Sequence, residues 1–184
     1  EEEDGRHYYD DQGLMRTGWT EVEDKRYFLS ADGVMQTGWH EEGEYRYYLR
    51  EDGSAAVGFL TDTGFVTPEA EAALAGVDTL VLESNHDVEY LRSGPYPYTL
   101  KQRILGSQGH LSNDDAAAFA AQMAAGGTRC IVLAHLSREN NTPQRAYDTV
   151  RRALDACGAS VELLVAPRDE LSPAYETENA LCRR

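Results

Sequence analysis

Two hydrophobic rhythms divide this chain of 184 residues. In the first, aromatic and apolar positions recur every 20 residues. Thr17-Gly18-Trp19 returns as Thr37-Gly38-Trp39, and Val57-Gly58-Phe59 comes at the same interval. The turn glycines Gly13, Gly33 and Gly53 keep step with the clusters His7-Tyr8-Tyr9, Tyr27-Phe28 and Tyr47-Tyr48, and with Met15 and Met35. An aromatic strand, a tight turn and a second short strand read as one β-hairpin per repeat. A lone hairpin is marginal in water, so each must stack its aromatic face on the next. The third unit weakens at Ser54, where Leu14 and Val34 set an apolar position. Residues 45–59 therefore read equally as the entry hairpin of a second domain.

From residue 57 the rhythm changes to alternating strands and helices. Apolar runs over 57–61, 77–84, 129–137 and 160–167 predict strands, the middle two fully buried. Helices are predicted over 68–76, 96–105, 112–127 and 142–158. Ser112 with Asp115 fits a capping box, Thr142 an N-cap with Pro143 after it, and Gly76, Gly126 and Gly158 mark helix ends. Repeated β-then-α units imply a layered α/β architecture with ligands at the carboxyl ends of the strands.

Charge narrows the partners. The net charge of −15 is uneven: residues 1–56 hold 15 acids against 6 bases, and residues 57–184 hold 17 against 11. Such a surface repels nucleic acid and anionic membrane unless a metal or a local patch reverses the field. No apolar run approaches the roughly 20 residues of a membrane span. The chain opens on Glu1-Glu2-Glu3-Asp4 without Met or a basic-then-apolar leader. It thus reads as a fragment or a processed product, and the expected location is the cytoplasm. Cys130, Cys157 and Cys182 form no CxxC pair and no disulfide framework.

Candidate chemistry collects where strands end. Asp62, in Thr61-Asp62-Thr63-Gly64, and His135 each come just after a buried strand, and His110 lies just before a helix N-terminus. One carboxylate and imidazoles suit Zn²⁺ or Mn²⁺. Spacing alone leaves the ordinary alternatives open: a turn aspartate and histidines satisfied within the core.

The 20-residue period, with GW, YY and DG in register, resembles the cell-wall-binding, choline-binding-like repeats of Gram-positive bacterial surface proteins over about residues 5–53. That resemblance implies aromatic cages between hairpins that hold choline by cation–π attraction. It makes Trp19, Tyr27, Trp39 and Tyr47 the candidate ligand-binding residues. A cage Trp of the family is replaced here by Arg6, Arg26 and Arg46, whose charge repels a quaternary ammonium; a wall glycan or no ligand is the expectation.

The strings TDTG, LVLESNHDVEYLRSGPYPYTLKQRIL, GHLSNDDAA and LAHLSRENNTPQRAY resemble metallo-β-lactamase-fold hydrolases of the YycJ/WalJ type, a nuclease-like and phosphodiesterase-like group. The likeness runs over about residues 57–176 and takes in the tail string APRDELSPAYE. It implies Asp62 and His135 as metal ligands, with Asp62 bridging two ions in a complete centre. His110 resembles the histidine that contacts the scissile phosphate or protonates the leaving oxygen, which places it with Asp62 among the catalytic residues. Glu83, Asn85 and His86 look like residues that orient the ligands.

The family's HxHxDH motif is absent: His7, His40, His86, His110 and His135 include no HxH pair. Two recognisable ligands fall short of the three protein ligands usual for catalytic zinc. Half of the usual αββα sandwich is also absent, which leaves a sheet face that the acidic repeats or a second chain could cover.

The sequence thus predicts β-hairpin repeats (1–56), the α/β half of a metallo-β-lactamase fold (57–176) and a tail (177–184). Three functional readings stand. One is an incomplete metal-dependent phosphodiesterase or exonuclease, acting on nucleic acid or another phosphodiester with Zn or Mn. A second is a non-catalytic module that binds wall glycan or choline at the cell surface and carries a vestigial hydrolase half. A third is a fusion or truncation product.

Overall fold

The computed structural model describes residues 5–23, 25–42 and 45–170. The predicted tail at 177–184, and positions 171–176 of the α/β segment, lie outside them. Strands β1 (Gly18–Val22) and β2 (Lys25–Leu29) form one hairpin; β3 (Gly38–Glu42) and β4 (Tyr45–Leu49) form the next. The α/β part comprises β5 (Ala55–Leu60), α1 (Pro68–Leu74), β6 (Thr79–Glu83), α2 (Val88–Ser93), α3 (Tyr98–Ile104), α4 (Asn113–Ala125), β7 (Cys130–Ala134), α5 (Pro143–Ala156) and β8 (Glu162–Val165). No described helix is long and apolar enough to cross a membrane.

The second hairpin is not a separate stack. One six-stranded sheet runs β3-β4-β5-β6-β7-β8, antiparallel through β5 and parallel from β5 to β8. Strand β5 belongs to both rhythms. Its Ala55 pairs with Leu49 as Met35 bridges Leu29 one repeat earlier, while its other edge starts the parallel sheet. Residues 45–59 are thus joined by pairing to the repeat strands on one side and to the parallel strands on the other. The repeat turn is preserved too: Gly33 has φ +77°, and Met15 fills the space above it with Sδ 2.5 Å from where a Cβ would stand. Only glycine meets both demands there.

Parallel strands with helical connections bury one face under helices. The row Gly58–Leu80–Ile131–Leu163 is buried, and so are Leu60, Leu82 and Leu133 beside it. The apolar stripes of α1, α4 and α5 join the same core through Leu74, Phe119, Met123, Val150 and Leu154. Ser112 and Thr142 cap their helices as the sequence predicts, and Thr67 caps α1; each accepts from a backbone N–H of the first turn. Helix α2, capped by Asp87, carries no apolar periodicity long enough to announce itself.

The first hairpin extends this helix-covered side. Trp19 and Phe28 pack on the core cluster, with Trp19 4.6 Å from Tyr47 between ring centroids. Arg26 fixes the hairpin to α1: its guanidinium lies 4.5 Å over the Trp19 ring and donates to Ala73 O and to Ala75 O at the helix C-terminus. Positive charge at that end complements the helix dipole. The opposite face keeps a half-buried row, Phe59–Val81–Val132–Leu164, with Trp39 and Tyr48 exposed toward one edge. Among the described residues, the β1-β2 hairpin packs on the helix-covered face and not on this one. Arg26→Ala is expected to lower stability by about 1–2 kcal/mol in urea unfolding. An unchanged midpoint would show that Arg26 does not hold the hairpin.

Candidate metal centre

Three adjacent parallel strands end at one place. Asp62 lies just beyond β5, Glu83 is the last residue of β6, and His135 directly succeeds β7. His110 comes from the loop between α3 and α4, one residue before the buried Leu111. Asp62, His110 and His135 each offer a ligand atom, and these atoms lie within 4.8 Å of one another. His135 Nε2 stands 3.6 Å from Asp62 Oδ1, and the two imidazole rings are 5.2 Å apart.

Glu83 organises the group from beneath. It is fully buried, and its Oε1 accepts from His110 Nδ1 at 2.8 Å and from His135 Nδ1 at 2.7 Å. Its Oε2 accepts from Thr63 N at 3.0 Å and Leu111 N at 3.4 Å. Each histidine that gives its Nδ1 proton to this carboxylate keeps the Nε2 lone pair for a ligand. One side chain therefore sets two tautomers and ties both loops to β6.

The backbone is strained where the ligand atoms sit. Asp62 has φ +60° and His135 φ +57°, left-handed values uncommon outside glycine. Such residues cost about 1–3 kcal/mol each and persist where surrounding contacts over-determine them. The contacts are present. Thr63 N is held by Glu83, and Asn85 Nδ2 donates to His135 O at 2.8 Å. The Thr63 hydroxyl donates to Phe65 O at 2.6 Å, which closes the turn after Asp62. Gly64 is pressed against the backbone of Gly106 and Ser107, so the Asp62 loop leans on the loop that leads to His110.

Behind the loops lies a buried amide network that sequence reasoning misses. Ser84 Oγ donates to Asn113 Oδ1, and Asn141 Nδ2 donates to Asn113 Oδ1, Ser84 O and Asn85 O. Polar residues at the edges of buried strand and helix segments are its only signal. Asn85 N also donates to Leu111 O and its carbonyl accepts from Ser137 N, so Asn85 links both histidine loops. His86 stands apart from the cluster. Its ring is buried, and burial above all holds its pKa below the ordinary value, with Asp115 and Glu83 opposing.

The donor set fits a divalent ion. Bonds of about 2.0–2.2 Å at tetrahedral angles place ligand atoms roughly 3.3–3.6 Å apart. The His135–Asp62 pair has that spacing, and the widest pair closes with a movement of about 1 Å. The side chains of Asp62, His135 and His110 are 68%, 42% and 34% exposed, so the centre opens to solvent.

The four aromatic candidates in the repeats part company. Trp19 stacks inside, with its indole N–H donating to Glu42 at 2.6 Å. Tyr47 is fully buried, Tyr27 lines a cavity, and Trp39 is 66% exposed beside Tyr48 and Phe59.

Comparison with known proteins separates the two rhythms. Residues 16–58 match the choline-binding repeat family. A second likeness is to a different kind of protein. The chain is 43% identical over 102 residues to an exodeoxyribonuclease YycJ of Bacillus anthracis, which covers 55% of this chain and 39% of that protein. It is 46% identical over 91 residues to an exodeoxyribonuclease WalJ of Streptococcus pneumoniae, over 50% and 34% respectively. The chain thus spans well under half the length of these relatives. A solved diphosphatase of the PhnP family is 13% identical, with a TM-score of 0.40, over 77% of this chain and 47% of that one.

Proposed function

We propose that Asp62, His110 and His135 hold one divalent metal ion, and that this centre belongs to a hydrolase of phosphodiester bonds. The observation that carries the reading is the single buried carboxylate, Glu83, aiming two imidazoles at one exposed aspartate. The likeness to exodeoxyribonucleases supports the substrate class. A metal bound there supplies a water made acidic enough to give hydroxide near neutral pH, and a positive charge for phosphate oxygens. The chain's own contribution is placement. Glu83 accepts from both Nδ1 atoms and so leaves both Nε2 atoms to face a ligand, Asn85 holds the His135 backbone, and the exposed side of the cluster leaves room for a phosphate. Zn²⁺ and Mn²⁺ both suit one carboxylate with two imidazoles.

The test is hydrolysis of bis(p-nitrophenyl) phosphate and of a DNA oligonucleotide by the chelator-stripped chain after Zn²⁺ or Mn²⁺ is restored. Metal-dependent turnover that falls about 100-fold or more in Asp62→Ala is expected. Metal binding without turnover would make the centre a binding site alone; turnover indifferent to Asp62 would refute the assignment.

The choline-binding-repeat match favours a second reading for residues 16–58, attachment to a choline- or glycan-bearing cell surface. Arg26 over Trp19 occupies that aromatic face from within, so the exposed Trp39 and Tyr48 are its better candidates. Retention on wall glycan that is lost in Trp39→Ala would support it.

A further inference from the structure

Each ligand of the centre has an exposed aromatic or cationic side chain on its own loop or against it. Phe65 comes three residues after Asp62 and is 49% exposed, while Val66 beside it packs on the core. Its backbone is fixed, since Phe65 O accepts from the Thr63 hydroxyl. Arg103 is exposed and adjoins Ile104, whose carbonyl accepts from His110 N; Gly109 lies against the carbonyls of both. Arg168 is exposed over the loop after His135, where its guanidinium donates to Leu136 O at 3.4 Å and to Ser137 O at 3.2 Å. Other arginines of the α/β part mostly face a carboxylate, as Arg138 faces Asp169, Arg145 faces Asp87 and Arg151 faces Asp155. Among the described residues, Arg103 and Arg168 face none. In a chain of net charge −15, two such cations beside one centre run against the general field.

We propose that Phe65, Arg103 and Arg168 seat an unpaired nucleic-acid strand across the centre. The two guanidinium groups pair with backbone phosphates on either side of the cleaved one, and the Phe65 ring stacks on a base. The proposal deepens the phosphodiesterase reading and rests on it for the place of the cleaved phosphate. A guanidinium is planar, weakly hydrated and matched to phosphate oxygens. Arg168 binds both carbonyls through one Nη and keeps its other donors for an anion. The arginines alone would accept any polyanion, and the ring alone any apolar face. Together they fit a strand, in which phosphates and flat bases alternate, and a duplex keeps its bases stacked away from such a ring.

The test is fluorescence anisotropy of a labelled oligothymidylate of about 12 nucleotides with the chelator-stripped full chain, over a range of salt. Omitting the metal removes hydrolysis, so this readout stands apart from the turnover that tests the phosphodiesterase reading. Binding at about 100 µM or tighter in about 50 mM salt is expected. Arg103→Gln and Arg168→Gln each weaken it and lower the slope of log K against log salt by about 0.7. Phe65→Ala weakens it about fivefold or more with the slope unchanged, and Phe65→Trp retains it. An abasic strand of the same length loses what Phe65→Ala loses. Arg152, which meets only Asp148 O and the Thr149 hydroxyl, lies roughly 13 Å along α5 from its first residue, and Arg152→Gln leaves binding unchanged. No binding at about 1 mM chain, a salt slope unmoved by either arginine variant, or an abasic strand bound as tightly as the thymidylate would each overturn the proposal. Absent turnover with these binding results intact would instead count against the phosphodiesterase reading alone.

Discussion

Replacing Glu83 with glutamine is expected to weaken divalent-metal binding by about 10- to 100-fold while the fold survives. The reason is a count of donors. Four groups point at this carboxylate: the Nδ1 atoms of His110 and His135, and the backbone N–H groups of Thr63 and Leu111. Glutamine has one acceptor oxygen and one donor amide, so it serves one pair and opposes the other. If the amide turns toward the imidazoles, it favours the tautomer with the proton on Nε2, which cannot ligate a metal. Glu83→Ala leaves all four donors in a buried void and is expected to cost about 3–5 kcal/mol. Calorimetry for the metal and urea unfolding for the fold separate the effects. Wild-type metal affinity in Glu83→Gln would show that Glu83 does not set the ligands.

Gly64→Ala is expected to damage the centre without touching a ligand. A Cβ at Gly64 would collide with the Gly106 carbonyl and come within 2.7 Å of the Ser107 backbone. Backbone on both sides cannot rotate away as a side chain can, so the two loops must part. Those loops carry Asp62 and His110, whose ligand atoms already stand near the limit for one ion. A loss of about 1–3 kcal/mol in stability and about tenfold or more in metal affinity is the expected result. The same contacts give the last three residues of the Thr-Asp-Thr-Gly exit from β5 a task each. Asp62 takes the left-handed turn, the Thr63 backbone meets Glu83, and Gly64 admits the neighbouring loop. A variant with unchanged affinity and stability would mean that the two loops can part at no cost.

Much of the architecture is legible in the sequence because local signals and packing agree. The caps Ser112 and Thr142, and the buried runs of β6 and β7, each satisfy both propensity and core. The repeats are legible through their period, but not their destination, since nothing in β4 announces that it pairs with both β3 and β5. Asp62 and His135 are visible as residues at strand ends. Their positive φ values are not, because no residue pattern encodes strain that distant contacts impose. Glu83 is identified by resemblance, yet its grip on two histidines depends on a residue 52 positions away and on a loop 27 residues away. The resemblance gives His110 a phosphate to meet; its place beside Asp62 and His135 depends on that same loop.

The most direct test of the central claim is zinc and manganese titration of the chelator-stripped chain, beside Asp62→Ala, His110→Ala and His135→Ala. One ion per chain, bound at about 1 µM or tighter and lost in all three variants, is the predicted result. Binding no tighter than about 1 mM, or affinity unchanged when His110 is removed, would contradict a centre built from these three residues.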